Sequence, residues 1–285
     1  MQAVTQKRLY QSNRARLLTP GYHAPEVDAF ERQWIAHRLA ALGTVPLPSS
    51  LPALRSALAQ QVHDEQQAPN ESATYVADQI RRDEFCILVQ EFAIDGLTEA
   101  QVFYFVLPRL PLEAQMPLLR IMIDEFGSGN IKRAHTSLYL DLLRELDMPT
   151  SLDFYPDEVG TASFEFVNLF YWLTLRADSV SYFAGALTYL ETAIPSFFDC
   201  YAQACRRLGI RAHAYYTEHQ HIDAFHAVEG QRLLSAMNAT GTLDAAKAFQ
   251  GALLASHITD KAFKDAVLKA RLSHARLAPV AVGVE

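Results

Sequence analysis

Four of the ten histidines, His213, His219, His221 and His226, fall within one fourteen-residue stretch. Within it, Glu218 to His226 contains the pattern H-x-x-x-D-x-x-H, formed by His219, Asp223 and His226. On a helix turning ~100° per residue, His219 and Asp223 differ by about 40° and His219 and His226 by about 20°. The three therefore share a face, and His221 points away from it. The rise from His219 to His226 is about 10.5 Å, which is long for one ion held by both rings. It suits two ions about 3.5–4 Å apart, one imidazole near each and Asp223 between them.

A second run, Asp124-Glu125-Phe126-Gly127-Ser128-Gly129-Asn130, is followed by His135. Ten positions on a straight helix would separate Glu125 from His135 by about 15 Å, too far for a shared ion. The glycines allow the chain to break and re-aim the next helix, which makes the pair feasible. Glu191 is the third piece, the only charged residue between Ser179 and Phe198. A carboxylate in such surroundings is costly unless paired or metal-bound. Together Glu125, His135, Glu191, His219, Asp223 and His226 supply three imidazoles and three carboxylates, a donor mix for two first-row metals that favours iron. Asp124 is a candidate outer partner of a ligand. Glu99 or Glu91, on the preceding helices, could add a further carboxylate.

The elements that must position these residues read as helices almost throughout. Expected helices cover Val27 to Ala41, Pro52 to Gln61, a long Ala73 to Ala93, Thr98 (as cap) to about Leu107, Pro117 to Phe126 and Ile131 to Leu146. Further ones cover Ala162 to Arg176, Ser179 to Leu208 with a kink at Pro195, and Ala212 to Ala239. Thr242 is expected to cap a last helix or helix pair from Leu243 to Arg271. No alternating strands and no repeat interrupt this pattern, so the class is all-α. The expected organisation is an N-terminal helical extension over 1–72, a catalytic bundle over 73–275 and a loose tail over 276–285. Aromatics from Phe164 to Trp172, with Tyr182, Phe183 and Tyr189, are expected around a substrate pocket.

Composition narrows the function classes. Half of the 285 residues are apolar and the formal net charge is −7, so a sizeable core is available and nucleic acid is not the expected ligand. The stretch Ser179 to Phe198 contains Glu191 and Pro195 and reads as a bundle helix, not a membrane span. Cys86, Cys200 and Cys205 lack C-x-x-C spacing and suit reduced thiols; with no apolar leader among the first residues, the expected compartment is the cytoplasm. No P-loop, dinucleotide fingerprint, G-x-S-x-G elbow or H-E-x-x-H is present.

The D-E-F-G-x-G…H run, the isolated Glu191 and the H-x-x-x-D-x-x-H helix resemble the heme-oxygenase-like di-iron oxidases over roughly Ala73 to Arg271. The resemblance implies a seven-helix heme-oxygenase-like bundle without heme, with two Fe(II)/Fe(III) ions held by Glu125, His135, Glu191, His219, Asp223 and His226. It implies O2 as co-substrate and a peroxo-di-iron(III) species. The spacing is closest to the N-oxygenating branch that serves nitrosourea (streptozotocin) and nitroimidazole biosynthesis, whose members recruit a seventh carboxylate; Glu99 lies at the matching place. The expected activity is N-oxygenation of a small amine, guanidine or aminoimidazole in natural-product biosynthesis. The chain length suits a stand-alone nitroimidazole-type enzyme. An external electron donor and a homodimer are the expected partners. Two alternatives remain: oxidative C–C cleavage, decarboxylation or desaturation of an amino or fatty acid, and a metal-free thiaminase-like or binding protein.

Overall fold

Ser181–Phe197 (α10 in chain order) is apolar nearly all round and buried from Ser181 to Glu191, as a helix crossing the core must be. The computed structural model describes residues 4–19 and 21–277. Among them are α1 (Gln6–Leu18), α2 (Pro25–Ala41), α3 (Leu51–Gln67), α4 (Glu71–Asp78), α5 (Arg82–Glu91), α6 (Ala93–Gly96) and α7 (Leu112–Glu125). They are followed by α8 (His135–Glu145), α9 (Thr161–Leu175), α10, α11 (Asp199–Leu208), α12 (Ala214–Ala239) and α13 (Ala245–Leu277). No strand occurs among the described residues. The chain is an all-α bundle, with α10 packed between α12 and α13, α7 against α12, and α9 and α5 against α13. No helix among the described residues is long and apolar enough to cross a membrane.

The closest approach in the bundle is made by glycines. A Cβ on Gly185 of α10 would lie 1.8 Å from the Ala248 carbonyl oxygen, and one on Gly251 of α13 would lie 2.0 Å from that of Tyr182. The two backbones therefore touch directly, with no room for a side chain between them. The N-terminal helices join the same core: Leu9, Val27, Trp34, Leu54 and Leu58 pack in one apolar cluster with Leu187, Leu190 and Ala255. A buried polar knot ties α1 to α9. Asn13 donates to Asn168 Oδ1 at 3.1 Å, and Asn168 donates to the backbone and side-chain oxygens of Gln6, both at 2.9 Å.

Several helix boundaries differ from the periodicity reading. The long helix expected over Ala73 to Ala93 is three pieces. Its first break falls at 79–81, where the last carbonyls of α4 and Ile80 turn to Arg207 of α11: Arg207 donates to Ala77 O at 3.0 Å and Ile80 O at 2.6 Å. Thr98 caps nothing, since its hydroxyl donates back to Ile94 O at 2.8 Å. The helix expected after it is replaced by turns and two 3-10 segments, Gln101–Phe105 and Leu107–Arg109, with Ala100 at φ +60°. Glu99 thus sits on a turn, not on a helix. The helix expected from Ser179 to Leu208 divides at Phe198 into α10 and α11. Gly209, at φ +69°, ends α11 at the Leu208 boundary read from the sequence. The last helix is a single unbroken one, α13, capped by Asp244, whose carboxylate accepts from Lys247 N at 3.0 Å. It runs to Leu277, past the expected end at Arg271; of the tail expected to be loose, 278–285 lie outside the described residues.

Candidate metal centre

α12 is one continuous helix, and it presents His219, Asp223 and His226 inward while His221 is exposed. α7 ends at Glu125, and the next four residues reverse the chain. Gly127, Ser128 and Gly129 are all left-handed, at φ +63°, +54° and +81°. At Gly127 a Cβ would meet Ala134 N at 2.5 Å and Arg133 C at 2.6 Å. This fold-back starts α8 at His135 and returns its ring to Glu125, with His135 Nδ1 2.8 Å from Glu125 Oε2. Glu191 projects from α10, and Glu99 from the turn after α6.

These side chains converge into two groups. Glu99, Glu125, His135 and His219 offer ligand atoms that all lie within 4.8 Å of one another, and so do Glu125, Glu191 and His226. Glu125 belongs to both. Asp223 falls outside these groups but stands beside the second, with Oδ1 3.4 Å from His226 Nδ1. Asp124 lies behind His226, its Oδ2 3.5 Å from Nε2. Glu91 is elsewhere: it accepts from Gly160 N at 2.8 Å and Ser163 Oγ at 2.5 Å and pairs with Lys269, joining α5 to α9 and α13.

The six residues Glu125, His135, Glu191, His219, Asp223 and His226 are each 8% exposed or less. Such groups are normally fully hydrogen-bonded. Here Glu125 Oε2, His135 Nδ1, Glu99 Oε2 and both oxygens of Asp223 have no hydrogen-bond partner. The short Glu125–His135 approach lacks hydrogen-bond geometry, as expected of two donors aimed at a common ion. Imidazoles and carboxylates without a thiolate are the donor set of a first-row divalent metal such as Fe(II). The residues present fit such an ion.

The ring orientations agree. His219 donates from Nδ1 to the Tyr215 carbonyl at 2.6 Å, which leaves Nε2 facing Glu99 Oε1 at 3.1 Å. The Tyr215 hydroxyl also donates to Glu99 Oε1, at 3.3 Å. His226 directs Nδ1 at Glu191 Oε2, 3.2 Å away. Without metal, these rings take up protons. Burial opposes the charged form of His219, but Glu99 outweighs it and holds the ring up at about 10. For His226, burial is outweighed by the carboxylates of Asp223 and Glu191 beside it, which hold the ring at about 11. Burial also works against the Glu125 carboxylate, yet His135 beside it pulls it down to about 2. Glu191 is pushed up to about 7 by burial, against the hydrogen bond from His226.

A cavity of about 90 Å³ adjoins these residues. Its lining includes Glu99, Glu125, Glu191, His219 and Asp223 together with Phe103, Phe166, Phe170, Leu187, Leu190 and Ile194. Phe166, Phe170 and Tyr171 lie within the expected aromatic stretch. Phe164, Trp172, Tyr182, Phe183 and Tyr189, also expected there, do not line it. Asp95 does line it and carried no local signal of that role. Tyr215 was also passed over, although its place one turn before His219 is a helical-spacing signal.

Residues 86–260 match the family of iron-containing redox enzymes of heme-oxygenase type. The chain is also 28% identical over 170 residues to a nitrosourea synthase of Streptomyces achromogenes subsp. streptozoticus. That stretch is 56% of this chain and 34% of the relative, so the match spans about a third of the relative's length.

Proposed function

The chain belongs to the iron-containing redox enzymes of heme-oxygenase type, and on that premise we propose that it is an O2-dependent di-iron oxygenase that oxygenates a nitrogen of a small amine-like substrate. The observation that carries this reading is the pair of donor groups meeting at Glu125 beside a small cavity. Glu99, His135 and His219 would hold one iron, Glu191, Asp223 and His226 the other, and Glu125 both. Two irons bound there would supply the electrons and the open coordination positions for activating O2. Electrons would be restored by an external donor.

The protein's own residues have distinct tasks. Tyr215 fixes Glu99 through its hydroxyl and His219 through its carbonyl, so one residue orients two ligands. Asp124 faces the far nitrogen of His226 and favours a proton there, keeping Nδ1 toward the cluster. Phe166, Phe170, Leu187 and Leu190 exclude water from the side where a substrate nitrogen would approach. The cavity is smaller than the ~150 Å³ that accepts a benzene ring, which favours a compact polar head group over a fatty chain. Cys200 and Cys205 are pushed up to about 12 by burial, and no cysteine lines the cavity, so no thiol nucleophile is placed for a thiaminase-type reaction.

The test is product mass under 18O2 with anaerobically Fe(II)-loaded protein and a panel of small amines, guanidines and aminoimidazoles. Incorporation of labelled oxygen on nitrogen is expected. Products that have lost carbon would replace this reading with oxidative fragmentation, and binding of no more than one iron per chain would end the two-iron reading.

A further inference from the structure

The outer side of α7 and α12 differs from the rest of the surface. Among the described residues thirteen large apolar side chains are exposed, and six of them stand on α7, on α12 or on the turn after α7. Exposed apolar residues scattered singly are ordinary, whereas a concentration of them marks a contact surface. Its centre is Ile123, Ile131, Phe225 and Val228, each half exposed or more. One buried carboxylate joins the two helices there: Glu229 of α12 accepts from Arg120 of α7 at 2.9 Å and also pairs with Arg232. Arg120 is one turn from Ile123 and Arg232 one turn from Val228, so the two exposed stripes face the same way.

The charge around this centre is opposite in sign to that of the chain. Arg55, Arg120, Lys132, Arg133 and Arg232 stand about it, against the carboxylates of Asp124, Glu218 and Glu229. The face is therefore net positive on a chain whose formal net charge is −7. A two-fold contact sets a patch against itself and would bring these cations together, whereas an acidic protein is drawn to them.

The same face lies over the metal centre. Asp124 is partly exposed, and its Oδ2 is 3.5 Å from Nε2 of His226. The other nitrogen of that ring faces Glu191 and Glu125. One imidazole thus separates this surface from the second donor group. Electron transfer falls steeply with distance, so a carrier seated here has a short path through a ring already aimed at the site.

We infer that this face of α7 and α12 is the docking surface for a small acidic one-electron carrier protein of ferredoxin type. The inference rests on the two-iron reading proposed above. Placing one oxygen atom of O2 in the substrate and the other in water consumes two electrons and two protons. Two reduced carriers become two oxidised ones as two ferric ions return to ferrous, and water supplies the protons. A small apolar centre within a charged rim suits the brief encounter that such a carrier makes.

The test is calorimetry of a plant-type [2Fe–2S] ferredoxin against zinc-loaded protein, which binds without redox chemistry. Binding is expected, and raising salt from about 50 mM to about 500 mM should weaken it at least about tenfold. Lys132→Glu with Phe225→Ser should weaken it at least about tenfold while zinc content stays that of the wild type. Lys132→Glu alone, which lies outside the helices and touches no ligand, should weaken it at least about threefold, so the face is tested even if Phe225→Ser disturbs α12. The matched pair Lys264→Glu with Leu268→Ser, equally exposed but on α13, should change nothing. With iron in place, reduced ferredoxin should reduce the ferric Lys132→Glu protein more slowly than the wild type, whereas dithionite should reduce both alike. No binding of ferredoxin by the wild type would overturn the inference, as would equal effects of the α12 and α13 pairs. A wild-type dimer in sedimentation that Phe225→Ser splits into monomers would give the face to a second copy and overturn it too. The proposed N-oxygenation is judged separately, from labelled product, since binding is read here with zinc and no turnover.

Discussion

Glu125 is the one side chain common to both donor groups, and that makes its removal different in kind from removal of a histidine. His226→Ala should leave about one metal per chain, because the group around Glu99, His135 and His219 is untouched. Glu125→Ala should weaken both positions together. Metal content after anaerobic Fe(II) loading and desalting distinguishes the two, and a Glu125→Ala chain that keeps one tightly held ion would show that the carboxylate is not shared. Proton release follows from the same residues. Folded and metal-free, His219 holds its proton up to about 10 and His226 up to about 11, both above the ordinary imidazole value of about 6.5. A metal needs the lone pair that the proton occupies, so binding near pH 7 expels protons and tightens as pH rises. Up to about two protons per chain and up to about tenfold in affinity per proton per pH unit are expected from these two rings. Calorimetry in buffers of different ionisation enthalpy reads the number directly; binding heats independent of buffer would contradict it. The shared face of His219, Asp223 and His226 was legible because one straight helix obeys a fixed angle per residue. Asp95, which lines the adjoining cavity, was not legible, because its place there comes from what the fold sets around it.

At the scale of elements, the fold-back between α7 and α8 is what joins Glu125 to His135. Gly127→Ala forces a side chain into a left-handed position, at about 1–2 kcal/mol, and against the backbone of Arg133 and Ala134 as well. It should lower the melting temperature and move His135 away, emptying the position it shares with Glu99 and His219. Gly129→Ala is the control. Its φ is also positive, at +81°, but no atom stands within 4 Å, so it should carry the conformational cost alone and keep its metal. Equal losses in the two variants would mean that the contact at Gly127 does not position His135. This turn could be read from Gly-Ser-Gly, since glycine is the local marker of such geometry. The break between α4 and α5 could not: no glycine or proline stands between Ala73 and Ala93, and the freed carbonyls are taken by Arg207, more than a hundred residues away. Glu99 illustrates the same limit. Its neighbourhood has the pattern of a helix, but Thr98 bonds backward and Ala100 turns left-handed.

Over the whole molecule, the candidate site is assembled from five separate stretches of chain: the turn at Glu99, the end of α7, the start of α8, the last half of α10 and the first half of α12. The bundle is held independently of them, by the backbone contact at Gly185 and Gly251 and by the buried Asn13–Asn168–Gln6 knot. Replacing Asn168 with Leu should strand the Asn13 and Gln6 groups and cost about 1–3 kcal/mol for each buried group left unpaired. Urea unfolding would measure it, and a loss under about 0.5 kcal/mol, the range of a neutral surface change, would show that the knot is not structural. The stretch from Leu97 to Pro111 is different, since it contains only turns and 3-10 segments, and Glu99 is its link to the four-residue donor group. A bound metal would therefore act there as a clasp, tying that stretch to α7, α8 and α12. Limited proteolysis should cut metal-free protein first between 97 and 111, and iron should slow that cut far more than any other. The iron content of a purified batch then measures, besides its catalytic potential, the fraction of molecules whose chain is closed to a protease.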